Sequence, residues 1–356
     1  MLRPNRLGIT TTAVLALCLV TASGCTKSTQ EDSTEGTDSG QQVQETTGGD
    51  SCTYETYNGG VAKLDLETAT IGFAQSEKEA NPFRITETES IKEEAAKRGI
   101  KLLTTNAQSD LNKEIADIQS MIAQGATALI ISPLNSEGLD PALKAAQDAK
   151  VPIMTIDRLL TSKQACTDYI GWIGSDFVEQ GKRAADALMA ATGDKGEAAI
   201  LLGASGVNVT VDRTKGFKDQ LVAKGSKLQV VAEQTGDFTR EKGRSVTEQM
   251  ISANPTLSAI YAENDEMALG AVAALKAAGK KPGEVKIVTI DGTQGAVQGI
   301  VDGWIAGVIE SNPRFGPLAF QALEDFYGGK GVPPTTIISD KEYTKENASA
   351  ELANAY

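Results

Sequence analysis

The sequence predicts an α/β protein made of two doubly wound lobes, each a parallel sheet covered by helices on both faces. From Ala69 onward, apolar strand-like runs alternate with amphipathic segments almost without interruption, the pattern of strand–helix–strand crossovers. A chain of 356 residues holds more such runs than one compact sheet accommodates, so they divide between two cores. No disordered linker separates the two lobes, so the chain crosses between them by tight connections, the geometry of a hinge.

The strand-like runs are 70–75, 100–105, 127–132, 151–157, 169–174, 198–205, 228–234, 257–264, 285–291 and 307–311. Helical segments between them include 91–99, closed by Gly99, and then 111–125 and 177–193. The stretch LSAIYAENDEMALGAVAAL (257–275) shows the repeating unit most clearly. Its apolar run from Leu257 to Tyr261 reads as a buried strand, and a helical pattern follows through Met267, Ala268, Ala271 and Leu275. Asn264 and Asp265 stand between them. Such residues cap a helix, and they also set polar side chains at the carboxyl edge of a parallel sheet, where open α/β sheets bind ligands. A single junction reads as a plain cap. Several junctions of this chain repeat the arrangement, and together they outline a cleft.

Composition excludes whole classes of function. Net charge is −13 with no clustered basic run, against a nucleic-acid partner. Histidine is absent, which removes the Ser-His-Asp triad, the Cys-His pair and His-ligated zinc, but leaves carboxylate and lysine chemistry open. Gly203-Ala204-Ser205-Gly206-Val207 imitates a nucleophile elbow, yet it ends in valine and has no histidine to serve as base. No segment fits a phosphate-binding loop, and Trp172 and Trp304 read as packing residues.

The N-terminus reads as a targeting segment. Arg3 and Arg6 precede an apolar stretch, 7–22, which ends in Ala22-Ser23-Gly24-Cys25. This resembles a bacterial lipobox, with Ala22 where leucine is usual; lipidation would fall on Cys25, and the alternative is ordinary cleavage to a secreted protein. Residues 26–50 hold one aliphatic side chain, Val43, and are expected to stay disordered, as a leash of about 25 to 30 Å. Such a leash favours the anchored reading. Cys18 leaves with the leader, and Cys52 and Cys166 remain as an even pair in an oxidising compartment. A disulfide is the expectation, with two buried thiols as the alternative.

Six motifs in order carry a wider likeness: IGFAQSEKEANPFR (71–84), PIMTIDR (152–158), SGVNVTVDRTKGF (205–217), GDFTREKG (236–243), YAENDEMALGA (261–271) and TIDGT (289–293). From about Ala69 onward the chain resembles the periplasmic sugar-binding proteins of ABC transporters, in the ribose- and galactofuranose-binding group. The resemblance implies two Rossmann-like lobes of the type I periplasmic binding protein fold, joined by a three-segment hinge, with a monosaccharide held between them. Together with the N-terminal reading, this gives a leader at 1–24, an anchored tether and lead-in at 25–66, an N-terminal lobe of 67–174 with 312–337, and a C-terminal lobe of 175–311 with 338–356.

Phe83 stands where the family sets a ring against a sugar, although a first-turn aromatic also reads as core; Asn81 and Arg84 flank it. Asp157 and Arg158 follow a buried strand, and an adjacent carboxylate and guanidinium offer the acceptors and donors that vicinal hydroxyls need. Arg213 falls where the family carries a ligand-bonding arginine. Asn264, Asp265 and Asp291 complete the second lobe's share, and Ser311 or Asn312 falls where the family's chain crosses beside the ligand. GDFTREKG resembles the galactofuranose binders more than the ribose binders.

The expected protein is a lipid-anchored, monomeric, extracytoplasmic binding protein that passes a neutral monosaccharide to a membrane permease. It has no cofactor, no metal and no catalysis. A galactofuranose-like sugar is favoured, with pentoses as runners-up. A sugar sensor acting on a membrane receptor is the alternative, and a secreted carbohydrate-active enzyme is the more distant one. A sugar-responsive repressor is set aside, because the chain opens on a leader and an acidic tether instead of a DNA-binding helix pair.

Overall fold

The computed structural model describes residues 42–356. The expected leader at 1–24, the lipidation site Cys25 and the first part of the tether lie outside the described residues. Two sheets organise the rest.

The first sheet contains β1 (Val43–Thr47), β2 (Thr70–Gln75), β3 (Lys101–Asn106), β4 (Ala128–Ser132), β5 (Ile153–Ile156), β6 (Trp172–Gly174) and β12 (Thr335–Ile338), in the order β1-β12-β6-β5-β4-β2-β3. The second contains β7 (Gly196–Leu202), β8 (Leu228–Thr235), β9 (Leu257–Ala262), β10 (Lys286–Asp291), β11 (Gly307–Glu310) and β13 (Glu342–Tyr343), in the order β13-β11-β10-β9-β7-β8. All pairings are parallel except at β1 and β13, so each sheet carries one antiparallel edge strand.

Helices α1 (Pro82–Lys97), α2 (Leu111–Ala123), α3 (Asp140–Asp148) and α9 (Gly316–Gly328) cover the first sheet, with α1 against α9 and α2 against α3. The second is covered by α4 (Phe177–Thr192), α5 (Asn208–Ala223), α6 (Arg240–Ala253), α7 (Asp265–Ala277), α8 (Gln294–Val301) and the short α10 (Ala348–Glu351). Among the described residues no helix is long and apolar enough to cross a membrane.

Apolar runs on both faces of the central strands explain the two-sided cores. On β4, Ala128 and Ile130 enter one cluster of the first sheet while Leu129 and Ile131 enter the other. On β9, Leu257, Ile260 and Ala262 pack to one side of the second sheet and Ala259 and Tyr261 to the other. A strand buried on both faces reads as a continuous apolar run, and that is how these strands appear in the sequence.

The chain passes between the sheets at three places: from β6 to α4 through Ser175 and Asp176, from β11 to α9 through residues 311–315, and from β12 to β13 through residues 339–341. The backbones of α4 and α5 lie in contact because of Gly181 and Gly216. A Cβ on Gly181 would stand 2.2 Å from the Arg213 carbonyl oxygen, and one on Gly216 would stand 2.0 Å from that of Val178.

The tether expectation needs correction. Residues 43–47 are not disordered: they form β1, paired antiparallel with β12. Its side chains are all exposed, so the strand is held by backbone hydrogen bonds to an open sheet edge, which hydropathy does not register. The lead-in is also ordered. Cys52 exchanges backbone bonds of 2.7 and 2.8 Å with Val332, and Tyr57 is buried edge-on against Phe326. Thr335–Ile338 and Glu342–Tyr343, not anticipated as strands, are short segments that complete the two sheets.

Cys52 and Cys166 are joined by a disulfide with their Cα atoms 5.2 Å apart. It closes a sequence separation of 114 residues, for which chain entropy gives at most about 4 to 5 kcal/mol. We expect the Cys52→Ser, Cys166→Ser double variant to fold with a lower urea midpoint, measured by far-ultraviolet circular dichroism. An unchanged midpoint would mean that β1 and the lead-in are secured without the bridge.

Candidate functional site

The carboxyl ends of strands from both sheets converge on one cleft. A small cavity of about 40 Å³ lies there. Glu77, Asn81, Phe83, Arg84, Asp157 and Arg158 line it from the first sheet, and Val209, Arg213, Phe238, Asn264 and Asp291 from the second.

The first-lobe wall is a buried charge network. Arg84 is held through Nε by Glu77 at 2.8 Å and through Nη1 by Glu87 and Asp157, each at 2.8 Å. Arg158 bonds the other Glu77 oxygen through Nη2 at 2.9 Å and the Leu134 carbonyl oxygen through Nη1 at 2.6 Å. One carboxylate, Glu77, therefore aligns two guanidinium groups. Burial alone would raise its pKa, but Arg158 and Arg84 together hold it down to about 2. Glu87 moves the other way: burial raises it against the pull of Arg84. Asn81 caps α1, its Oδ1 accepting from the Arg84 N–H at 2.9 Å, which fixes Arg84 and Phe83 at the helix start.

On the second lobe, Arg213 is equally constrained. Its Nε donates to Gln180 Oε1 at 2.9 Å, its Nη1 donates to the Glu263 carbonyl oxygen at 2.6 Å, and Nη2 lies 3.7 Å from Asp291. Gln180 turns its amide NH2 the opposite way, to the Glu310 carbonyl oxygen at 3.2 Å and to Asp340 at 2.8 Å. Asp340 also accepts from the Asn312 N–H at 3.4 Å, so it stands among the crossings. Burial pushes Asp291 well above the usual carboxylate range, with Arg213 opposing and Asp265 adding to the rise.

Three cleft residues have left-handed backbones that non-glycine residues rarely adopt: Asp157 at φ +60°, Phe238 at +57° and Asp291 at +142°. Asp157 and Phe238 follow strands and Asp291 ends one, and all three line the cleft; strain of this kind gathers at functional sites.

Of the ten expected ligand-binding residues, eight line the cavity: Asn81, Phe83, Arg84, Asp157, Arg158, Arg213, Asn264 and Asp291. Asp265 stands behind it. Its Oδ2 accepts from the Gly292 and Thr293 N–H groups at 2.9 and 2.7 Å and from the Thr293 hydroxyl, tying β10's turn to α7. As the first residue of α7 it points along the sheet edge, while Asn264 before it faces the cleft. Ser311 also lies outside the lining; its carbonyl oxygen accepts from the Tyr356 hydroxyl at 2.9 Å.

Glu77, Val209 and Phe238 were not singled out. Phe238 had a readable signal, an aromatic side chain just past the strand run 228–234. Gly203 makes room for its ring, since a Cβ there would meet it at 2.0 Å, and Asn264 Nδ2 donates to its carbonyl oxygen at 3.2 Å. Glu77 lies in a loop, where no periodicity marks a position. Among the described residues no group of acidic or cysteine side chains is placed to hold a metal ion.

The family described as periplasmic binding protein domain matches residues 71–330. The ribose import binding protein of Bacillus subtilis is 35% identical over 256 residues, 72% of this chain and 81% of that protein. The galactofuranose-binding protein of Escherichia coli is 33% identical over 289 residues, 80% of this chain and 90% of that protein. Among solved structures, the binding component of the arabinose ABC transporter from Shewanella sp. ANA-3, bound to L-arabinofuranose, has a TM-score of 0.76 at 36% identity, covering 80% of this chain and 95% of that one.

Glu263 yields a pH test. Its carboxylate accepts from the Gly203 N–H at 2.7 Å and from Thr214, yet burial pushes its pKa up to about 7. A folded-state value above the unfolded one, about 4.3, gives a contribution fully present below pH 4.3 and lost as pH rises through 7. Stability in urea should therefore fall from pH 5 to pH 8, and Glu263→Gln should lessen that fall by on the order of 2 kcal/mol. Equal falls in both proteins would refute the assignment.

Proposed function

This chain belongs to the periplasmic binding protein family, and we propose that it is the sugar-binding component of an ABC importer, closing around a monosaccharide and presenting it to a membrane permease. The observation that carries this reading is the pairing of two opposed polar walls in one cleft. Each wall holds aligned guanidinium and carboxylate groups, and each adds one aromatic ring, Phe83 or Phe238. Sugars carry hydroxyls that both donate and accept and C–H faces that pack on rings, so this mixture suits them.

In this reading Asp157, Arg158 and Arg84 bond hydroxyls from the N-terminal lobe, 67–174 with 312–337. Arg213, Asn264 and Asp291 do so from the C-terminal lobe, 175–311 with 338–356. Asn81 aligns its neighbours, and Asp265 and Ser311 support the second wall and a crossing. The crossings act as a hinge. Only the closed form satisfies all the hydroxyls, so the ligand shifts the equilibrium by its differential affinity for that form. Nothing covalent is required.

A neutral sugar fits best, because every cleft arginine already has a carboxyl partner and the walls offer mixed donors and acceptors instead of a cluster of unpartnered cations. A galactofuranose-like ring is favoured. The likeness to the galactofuranose-binding protein of Escherichia coli and to an arabinofuranose-bound structure supports the five-membered form, and pentoses are the runners-up. The family acts outside the cytoplasm. We assign a monomer held at the outer face of the membrane through a lipid on Cys25.

Asp157→Ala and Arg158→Ala are each expected to weaken sugar binding by about 2 to 5 kcal/mol in calorimetry, with a cooperative melt retained. Near wild-type affinity in a folded variant would refute their role. Titration with galactofuranose, galactopyranose, ribose and arabinose should rank galactofuranose first. A pentose preferred over it would overturn the sugar assignment, and tight binding of a sugar phosphate would overturn the account of the cleft.

A further inference from the structure

The two lobes also touch directly at the mouth of the cleft, on the loop from β7 to α5. Asn208, the first residue of α5, donates its backbone N–H to Ser136 Oγ at 2.8 Å, and its side-chain Oδ1 accepts from the Leu159 N–H at 3.1 Å. The Ser136 N–H donates to the Gly206 carbonyl oxygen at 3.2 Å. Ser136 and Leu159 follow β4 and β5 of the first sheet, whereas Gly206 and Asn208 follow β7 of the second. Gly206 has φ +86°, a conformation that suits glycine and turns its carbonyl across the gap. On either side of Asn208, Val207 and Val209 are buried in a cluster whose other members, Leu139, Leu160 and Trp172 among them, belong mainly to the first lobe. Asn208 Nδ2 bonds Asp212 at 3.2 Å on its own helix, which holds the amide in the bridging orientation.

The geometry points to Ser136 and Asn208 as a latch that stabilises the closed form without touching the sugar. Neither residue lines the cavity. When the lobes part, these groups and the two valines return to water, so the contacts count only in the closed form. Exchanging a water bond for a protein bond yields a small net gain, which keeps the latch too weak to shut the protein alone but strong enough to raise affinity. Ser136 and Asn208 are thus positioning residues. They set how tightly every sugar is held, while the cleft residues set which sugar is held. This inference rests on the binding-protein reading above.

The test is calorimetric titration of the wild type, Ser136→Ala, Asn208→Ala and the double variant with galactofuranose, arabinose and ribose. Asn208→Ala should weaken each bound sugar by the same factor, roughly ten-fold, and the double variant should lose less than the product of the single losses. Ligand-free melting temperatures should match the wild type, separating a latch from a fold defect. Unchanged affinity, a loss that differs among sugars, or independent effects of the two substitutions would overturn the latch. If the wild type binds none of these sugars, the sugar-binding reading fails instead. The latch is then judged by single-molecule fluorescence transfer between dyes on the two lobes of the ligand-free proteins: Asn208→Ala must visit the minor closed state roughly ten-fold less often than the wild type, and equal occupancies overturn it.

Discussion

The cleft depends on keeping buried guanidinium groups paired. Arg84, Arg158 and Arg213 are each almost fully buried, and a buried charge deprived of its partner destabilises a protein severely. The requirement explains features that otherwise look unrelated. Glu77 sits in a loop so that it can reach two arginines from one side, and Asp157 bends into a left-handed backbone to meet Arg84. Glu87 is buried on α1 one turn beyond Arg84, where Gln75 donates to it as well. The site is prepared before any ligand enters, because the same contacts that keep the fold tolerable also hold the donors still.

The second wall is built on helix contact. Gly181 and Gly216 let α4 and α5 meet backbone to backbone, which puts Arg213 within reach of Gln180 and of the Glu263 carbonyl. Packing and recognition therefore share residues: a bulkier side chain at either glycine would force α4 and α5 apart and carry Arg213 out of line. The first wall shares this in part, since Gly316 of α9 lies against the backbone of Ser90 on α1, and it draws further order from ion pairs and from the cap at Asn81.

Much of this was legible in the sequence. Every strand expected from Thr70 to Ser311 has a counterpart in the sheets; the central runs, buried on both faces, leave an unbroken apolar record, whereas the edge strands β3 and β8 are only partly buried. The polar residues that close or follow those runs were also legible, and Asp157, Arg158, Asn264 and Asp291 all line the cavity. What stayed hidden was position that depends on tertiary context. β1 is made of exposed side chains and is defined only by the edge it joins. Asp265 and Asn264 are neighbours with the same cap chemistry, yet one faces β10's turn and the other the cleft, and no pattern separates them. Glu77 was concealed by its loop, and its role appears only once Arg84 and Arg158 are seen to share it.

Gln180 accepts from Arg213 with its oxygen and donates to Asp340 and to the Glu310 carbonyl with its nitrogen. A glutamate there would face Asp340 with a second acceptor, a lysine would have nothing to offer Arg213, and an asparagine is one methylene shorter. Only a primary amide of this length speaks to both sides. The arginine that lines the cleft and the segments that cross between the lobes are therefore bound to a common residue. A lineage adapting this scaffold to a new sugar is free to rewrite the rim of the cleft, but it cannot move Arg213 without also renegotiating how the protein bends.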